Sequence, residues 1–149
     1  MRQNSAAHDQ AVDQLLAHAR LPRADFSTWP EPERVAFLEA ELASLRPFLP
    51  PHSTPGPAAA SVRDALAVFA RQRVDFGPRP IDAGLGVYIV SMTRSVSDLL
   101  VPFLFAREVG LLDVTPEGPI CPLEVVPLFE TIDDLERAPA ILERYLASP

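Results

Sequence analysis

A second cysteine is missing from this sequence, and its absence removes several chemistries together. Cys121 stands alone, so there is no internal disulfide, no CxxC pair and no cysteine-built metal cluster. That usage fits a reducing compartment, with the cytoplasm as the default. A basic footprint is also missing. Thirteen Lys and Arg against 20 Asp and Glu give a net charge of −7 and a pI of about 4.9, with no lysine-rich or arginine-rich block. Nucleic acid and anionic lipid surfaces are therefore not expected as partners. No apolar run is long: "LLVPFLFA" (99–106) falls well short of a bilayer span, and "MRQNSAAHDQ" has no apolar signal core, so a soluble protein is expected. There is no GxGxxG, no P-loop, and no serine or cysteine in a nucleophile motif.

What is present argues for a packed core. The chain has 149 residues, the size of one ordinary domain, and 48% of them are hydrophobic. Its 17 prolines, about twice the usual ~5% share, cluster between periodic segments. Val12, Leu15, Leu16 and Ala19 recur at helical spacing within 5–20, ended by "LPR". A second helix carries Val35, Leu38, Leu42 and Leu45 on one face, with Pro30 and Pro32 in its first turn, and stops before Pro47. "PFLPPHSTPGP" (47–57) cannot be regular structure. A third helix follows, with Val62, Leu66 and Phe69 facing inward and Gly77 at its end, before the loop "GPRPIDAGLG".

The texture then changes. "VYIVS" (87–91) is β-branched and aromatic, the pattern of a buried strand in a parallel sheet. Ser95 and Asp98 form a capping box for a helix running to about Val109, with Gly110 as its stop and an early bend expected at Pro102. "LEVVPLFE" repeats the design. Thr131 and Asp134 form the next capping box, opening a helix in which Leu135, Ile141, Leu142 and Leu146 are expected to face inward and Pro139 to interrupt. Two successive parallel strand–helix units require a sheet with helices on its faces, either a small open sheet or part of a barrel.

Sites in such folds gather at the carboxyl ends of strands. Glu130 lies there. A carboxylate at that place is either a ligand for a hard cation such as magnesium or manganese, or an acid compensating the positive end of the helix that follows. Ser91, Arg94, Ser95, Ser97 and Asp98 hold the corresponding place after the first strand; they suit an anion at a helix N-terminus, and capping explains Ser95 and Asp98 without one. His8, His18 and His52 have no partner at metal spacing, His8 and His18 being expected to face solvent. Cys121, beside Pro122, reads as a small packed residue.

The order and spacing of several segments go further. "VYIVSMTRSVSDLLVPFLFAREVGLL" followed by "PLEVVPLFETIDDLERAPAIL" closely resembles the central region of phosphoenolpyruvate carboxylases, where a strand ending in I-S-M, a following S-D and a P-L-F-E-T-x-D-D-L block occur in this order. "DFSTWPEPERVAFLEAELASLRPFLP" and "RQNSAAHDQAVDQLL" resemble two further stretches of that family. The resemblance covers nearly the whole chain and is weakest around 51–60 and 75–84.

This resemblance implies a segment of a (β/α) TIM barrel, helix-rich, with about five helices and two or three short parallel strands. Residues 1–149 would be one such segment: a helical part over 1–50, a proline-rich loop over 51–60, and a helix with two strand–helix units over 61–149. The implied reaction joins phosphoenolpyruvate to bicarbonate and releases oxaloacetate and phosphate, a carboxy-lyase activity feeding the tricarboxylic acid cycle. Bicarbonate attacks the phosphoryl group, the enolate of pyruvate captures carbon dioxide, and Mg2+ or Mn2+ neutralises charge on oxygen. The family is a homo-tetramer. Two positions carry over: Glu130 as one of two carboxylate ligands to the cation, and Arg2 as a contributor to the substrate's phosphate site, where a guanidinium fork matches phosphate oxygens.

The departures from the family pattern bear on activity. The G-Y-S-D-S-x-K-D segment with the second metal carboxylate, the glycine-rich arginine-bearing loop, the catalytic histidine and the regulatory aspartate site all lie outside this sequence. No catalytic residue is assigned within it, and the first expectation is a fragment of the enzyme, truncated or excised, that is inactive by itself. The alternative is a non-catalytic helical module that associates with other barrel segments, a full-length enzyme or its own copies.

Overall fold

The computed structural model describes residues 1–50, 53–76, 87–116 and 118–148. Gly77 with the whole loop 77–86, and His52, lie outside the described residues. In chain order the elements are β1 (Arg2–Asn4), α1 (Ser5–His18), a single 3-10 turn (Phe26–Thr28), α2 (Glu31–Leu42), α3 (Pro57–Phe76), β2 (Tyr88–Ser91), α4 (Val96–Glu108), a hairpin of β3 (Asp113–Thr115) and β4 (Gly118–Ile120), β5 (Val125–Leu128) and α5 (Ile132–Leu146). The chain is thus helix-rich α/β. The five expected helices form, and β1, β2 and β5 agree with the two or three parallel strands expected; the position of β1 and the hairpin were not read from the sequence, since elements of three residues are too short to show a period.

Local chemistry sets the boundaries. Asn4 Oδ1 accepts from the Ala6 N–H at 2.8 Å and starts α1. Two residues past its last helical residue, Arg20 takes a φ of 58° and turns the chain left-handed, while the N–H groups of Arg20 and Leu21 close onto the carbonyls of Ala17 and Leu16. Helix α4 closes in the same way, with Gly110 at φ 74° and Leu111 N–H donating to Ala106 O at 2.9 Å. Helix α3 borrows its cap: Gln14 Oε1, from α1, accepts from Ala58 and Ala59 N–H at 2.8 and 3.1 Å.

Helix α2 stops at Leu42, earlier than its apolar stripe suggests, and Leu45 is 39% exposed rather than packed on that face. The cause is α4. Buried Arg107 donates to the carbonyls of Glu41 and Ser44, and Glu108 accepts from Phe48 and Leu49 N–H, so 43–49 is held in irregular backbone. Leu15, Leu16, Phe26, Leu38, Leu66, Leu99, Leu104 and Phe105 are fully buried between the helices.

The last helix corrects a second expectation. Helix α5 runs through Pro139 without interruption, and Leu135 and Leu146, expected inside, are exposed. It seats Ala138, Ile141 and Tyr145 inward at helical spacing, with Tyr145 stacked on Phe103 of α4. Ile132, Leu135, Leu142 and Leu146 then fall on a different stripe; Leu142 is half-buried and the other three are open to solvent.

Strands β1, β2 and β5 form one parallel sheet in that order, with Arg2 beside Ile89, Tyr88 beside Val125 and Ser91 beside Leu128. Strand order follows chain order, and right-handed connections then place the helices on one face. Burial agrees: Tyr88, Val90 and Val125 are buried, whereas Ile89, Val126 and Leu128, on the opposite face, are only half-buried. The Glu124 carbonyl accepts from Tyr88 N–H of β2 and the Leu128 carbonyl from Thr93 N–H just beyond it. The alternate residues Val125 and Pro127 therefore direct their backbone outward, where proline's missing N–H breaks no bond within this sheet.

His8 is buried, not solvent-facing. It shares the apolar face of α1 with Ala11, Val12 and Leu15, and its Nε2 lies 2.9 Å from the Tyr88 hydroxyl. Burial lowers its pKa from 6.5 to about 4, so the folded chain holds it neutral. Between those values only the unfolded chain takes up the proton. Stability is therefore expected to be full above pH 6.5 and to fall as the pH drops towards 4, by about 1.4 kcal/mol per pH unit from this group. Urea unfolding at pH 7 and 4.5 checks this: His8→Gln should show a shallower loss than the parent chain.

Candidate functional site

At the carboxyl end of the sheet the chain leaves β2 through a tight turn whose bonds fix it to both neighbouring strands. Ser91 Oγ donates to Gln3 O at 3.1 Å, and Thr93 N–H donates to Leu128 O at 3.2 Å. Between them Met92 takes φ 56°, a left-handed conformation uncommon for a residue with a side chain. Ser5 Oγ holds the Met92 carbonyl at 2.8 Å. The Met92 N–H is thereby aimed at Glu130, donating to its Oε2 at 3.0 Å.

The other carboxylate oxygen of Glu130 meets Arg2 Nη2 at 2.6 Å. Residues 128 positions apart in sequence are thus joined on the open face of the sheet. The side chains are 57% and 30% exposed, and a pair so hydrated contributes about 0.2–1 kcal/mol. It is not what holds the strands together. Helix α5 is capped by Thr131, whose Oγ1 accepts from Asp134 N–H at 3.1 Å. The carboxylate of Glu130 is engaged with Arg2 and Met92 instead, which argues against the helix-cap reading.

The residues after β2 are turned to structural ends. Asp98 accepts from the backbone N–H of Arg94 and Ser95, at 2.8 and 3.2 Å, completing the expected capping box. Ser97 is bound through its N–H and hydroxyl to Glu31. Arg94 lies 3.6 Å from Asp9 and 3.9 Å from Asp98, and Asp9 also pairs with Arg34, which is nearly buried. Burial raises the carboxyls of Asp9 and Asp98 above the ordinary range, against the pull of these arginines. Asp98 and Ser97 are thus engaged within the fold, while the Arg94 side chain is 47% exposed. His18 is exposed, and Cys121 packs half-buried against the core.

Glu130 offers a hard oxygen of the type a divalent cation takes. Among the described residues, however, no group of three or more His, Cys, Asp or Glu side chains could hold a metal ion. Mg2+ requires near-octahedral oxygen coordination, so the Glu130 carboxylate by itself does not make a metal site. Sequence reasoning had singled out Arg2 and Glu130 but neither their contact nor the two residues that orient it, Met92 and Ser5. A left-handed turn residue that is not glycine or asparagine leaves no compositional trace.

A family model described as phosphoenolpyruvate carboxylase matches residues 1–149, the whole chain. The chain belongs to the phosphoenolpyruvate carboxylase family. It is 45% identical over 152 residues to a phosphoenolpyruvate carboxylase of Nocardia farcinica, 42% over 156 residues to one of Rhodothermus marinus, and 38% over 149 residues to one of Parasynechococcus marenigrum. All of this chain is covered in each case, against 16%, 16% and 14% of those proteins. It therefore spans about one-seventh of the length of the carboxylases it matches. No described helix is long and apolar enough to cross a membrane.

The left-handed turn beside Glu130 gives a direct test of this geometry. Met92→Val places a β-branched residue at positive φ and is expected to lose about 1–2 kcal/mol. Met92→Gly should lose none of that, since glycine adopts this conformation freely. Chemical denaturation of the two variants beside the parent chain measures the difference.

Proposed function

We propose that this chain serves as part of the catalytic barrel of a phosphoenolpyruvate carboxylase, forming oxaloacetate and phosphate from phosphoenolpyruvate and bicarbonate in the cytoplasm. The observation that carries the reading is the meeting of Arg2 and Glu130 at the carboxyl end of a parallel sheet in a chain matched throughout by that family. In this reading Glu130 is one carboxylate ligand to Mg2+ or Mn2+, and Arg2 contacts the substrate's phosphate. A barrel is supported by the sheet itself: strand order follows chain order, one face is covered by helices, and the other presents Ile89, Val126 and Leu128 half-covered. Closing the sheet would bury that face and pair the outer edge of β5. With one carboxylate ligand supplied, the 149 residues alone are expected to form no oxaloacetate.

A graft tests the assignment. Placed in the Nocardia farcinica relative in exchange for its matching stretch, this segment should support oxaloacetate formation coupled to malate dehydrogenase. Glu130→Ala in the graft should lower kcat about 100-fold or more, beyond the ~10–100-fold typical of outer-shell changes at metal sites. A graft indifferent to that change removes Glu130 from the site.

A second reading has its own observation. Ile132, Leu135 and Leu146 of α5 are 75%, 58% and 78% exposed, an apolar stripe suited to a partner helix. A module that docks on other barrel segments, a full-length enzyme or its own copies would use it. Size exclusion with light scattering decides against this reading if the purified chain runs as a monomer at all concentrations.

A further inference from the structure

We propose that the outer stripe of α5 is a docking seam for a basic amphipathic helix, which anchors a bulky aromatic side chain in the cavity at the C-terminal end of the seam. The inference is independent of the roles given to Arg2 and Glu130. It is narrower than the module reading, because it names one partner chemistry and excludes copies of this chain. Ile132, Leu135, Pro139, Leu142 and Leu146 follow one another at alternating steps of three and four residues. That is the spacing of a coiled-coil seam. It runs about 21 Å along the helix and is exposed at every position except half-buried Leu142. Ala138, Ile141 and Tyr145 occupy a separate face, turned to the core.

The charges beside the seam decide what can lie on it. Glu136 and Glu143 border one side, exposed and without an ion pair among the described residues. The arginines of the helix are engaged elsewhere, Arg137 with Asp134 and Arg144 with Glu39 of α2. A second copy laid antiparallel would set these glutamates against themselves; laid parallel, it would need the flank that Ala138 and Tyr145 turn inward. A helix with lysine or arginine on the facing flank pairs both acids instead. Pro139 adds to the demand for donors, since it has no N–H for the Leu135 carbonyl and leaves an acceptor in the middle of the seam. At the far end Leu146 also walls a cavity of about 320 Å³, shared with Leu42, Leu100, Phe103, Ile120 and Tyr145. Such an apolar, partly aromatic hollow beside a flat seam suits a Phe or Trp anchor.

The test uses the 149-residue chain and two labelled helical peptides as probes. Each has leucine along its seam and a tryptophan at one end; one is flanked by lysine, the other by glutamate. Fluorescence polarisation should find the lysine peptide binding about tenfold more tightly than the glutamate peptide. Glu136→Lys combined with Glu143→Lys should reverse that order, which bulk charge attraction cannot do, because the chain stays net negative. Leu135→Gln and Leu146→Gln, at exposed positions, should each weaken the lysine peptide about tenfold, as should replacing its tryptophan with alanine. If neither peptide binds, if the double reversal leaves the preference unchanged, or if binding survives both glutamine variants, the docking seam is wrong. If only the loss of tryptophan is without effect, the anchor is wrong. The parent chain alone is expected to be monomeric, and a dimer that Leu135→Gln dissolves overturns the exclusion of copies. None of these outcomes bears on Arg2 or Glu130.

Discussion

Strand β2 accepts hydrogen-bonded neighbours on both edges, and the rest of the molecule depends on that double pairing. Parallel strands cannot be joined by a tight turn, so each partner of β2 arrives only after a long crossover, α1 to α3 from one side and α4 on the other. Those crossovers are the helices that make the core. The same arrangement brings residues from the first and last fifths of the chain to the two sides of Met92. Four residues of extended backbone thus organise both the packing on one face and the polar cluster at the end.

The asymmetry of burial follows from this topology. Tyr88 and Val90 point into the helical layer, where His8 and Phe69 meet the Tyr88 ring, while Ile89 points to the uncovered side. A neutral imidazole is tolerated in that layer because the tyrosine hydroxyl answers one of its nitrogens. Charged groups are paired or bonded to backbone: Asp9 with Arg34 and Arg94, Asp98 with the backbone of the turn, Arg107 with Glu41 and Glu108, Glu130 with Arg2.

Much of the helical layer was legible in the sequence, because apolar spacing, capping boxes and terminal glycines are local signals. The packing of α1, α3 and α4 follows them. Failures came where tertiary partners overrode the pattern. Leu45 continues a helical stripe in sequence, but Arg107 claims the carbonyls that would have extended the helix. Leu135 and Leu146 lie on a plausible inner face of α5, yet Tyr145 and Ile141 define the real one. His8 could have been placed inside, since it falls in register with Ala11, Val12 and Leu15; polarity was weighted over position. At the site, the residue types alone left Glu130 between ligand and cap, and it was the family resemblance that distinguished it. Its contact with Arg2 was not readable, because no local rule reports on residues so far apart in sequence.

The outward-facing proline of β5 has a consequence for what can approach this sheet. Its outer edge offers a donor and an acceptor at Val125 but only an acceptor at Pro127, so a strand laid alongside meets an interrupted ladder. Two copies meeting edge to edge in antiparallel fashion would each bring the same gap. Indiscriminate strand addition, the usual hazard of an open edge, is thereby weakened. A neighbour that places no acceptor opposite Pro127 would lose no bond there, so the proline biases which strand register can lie along this edge.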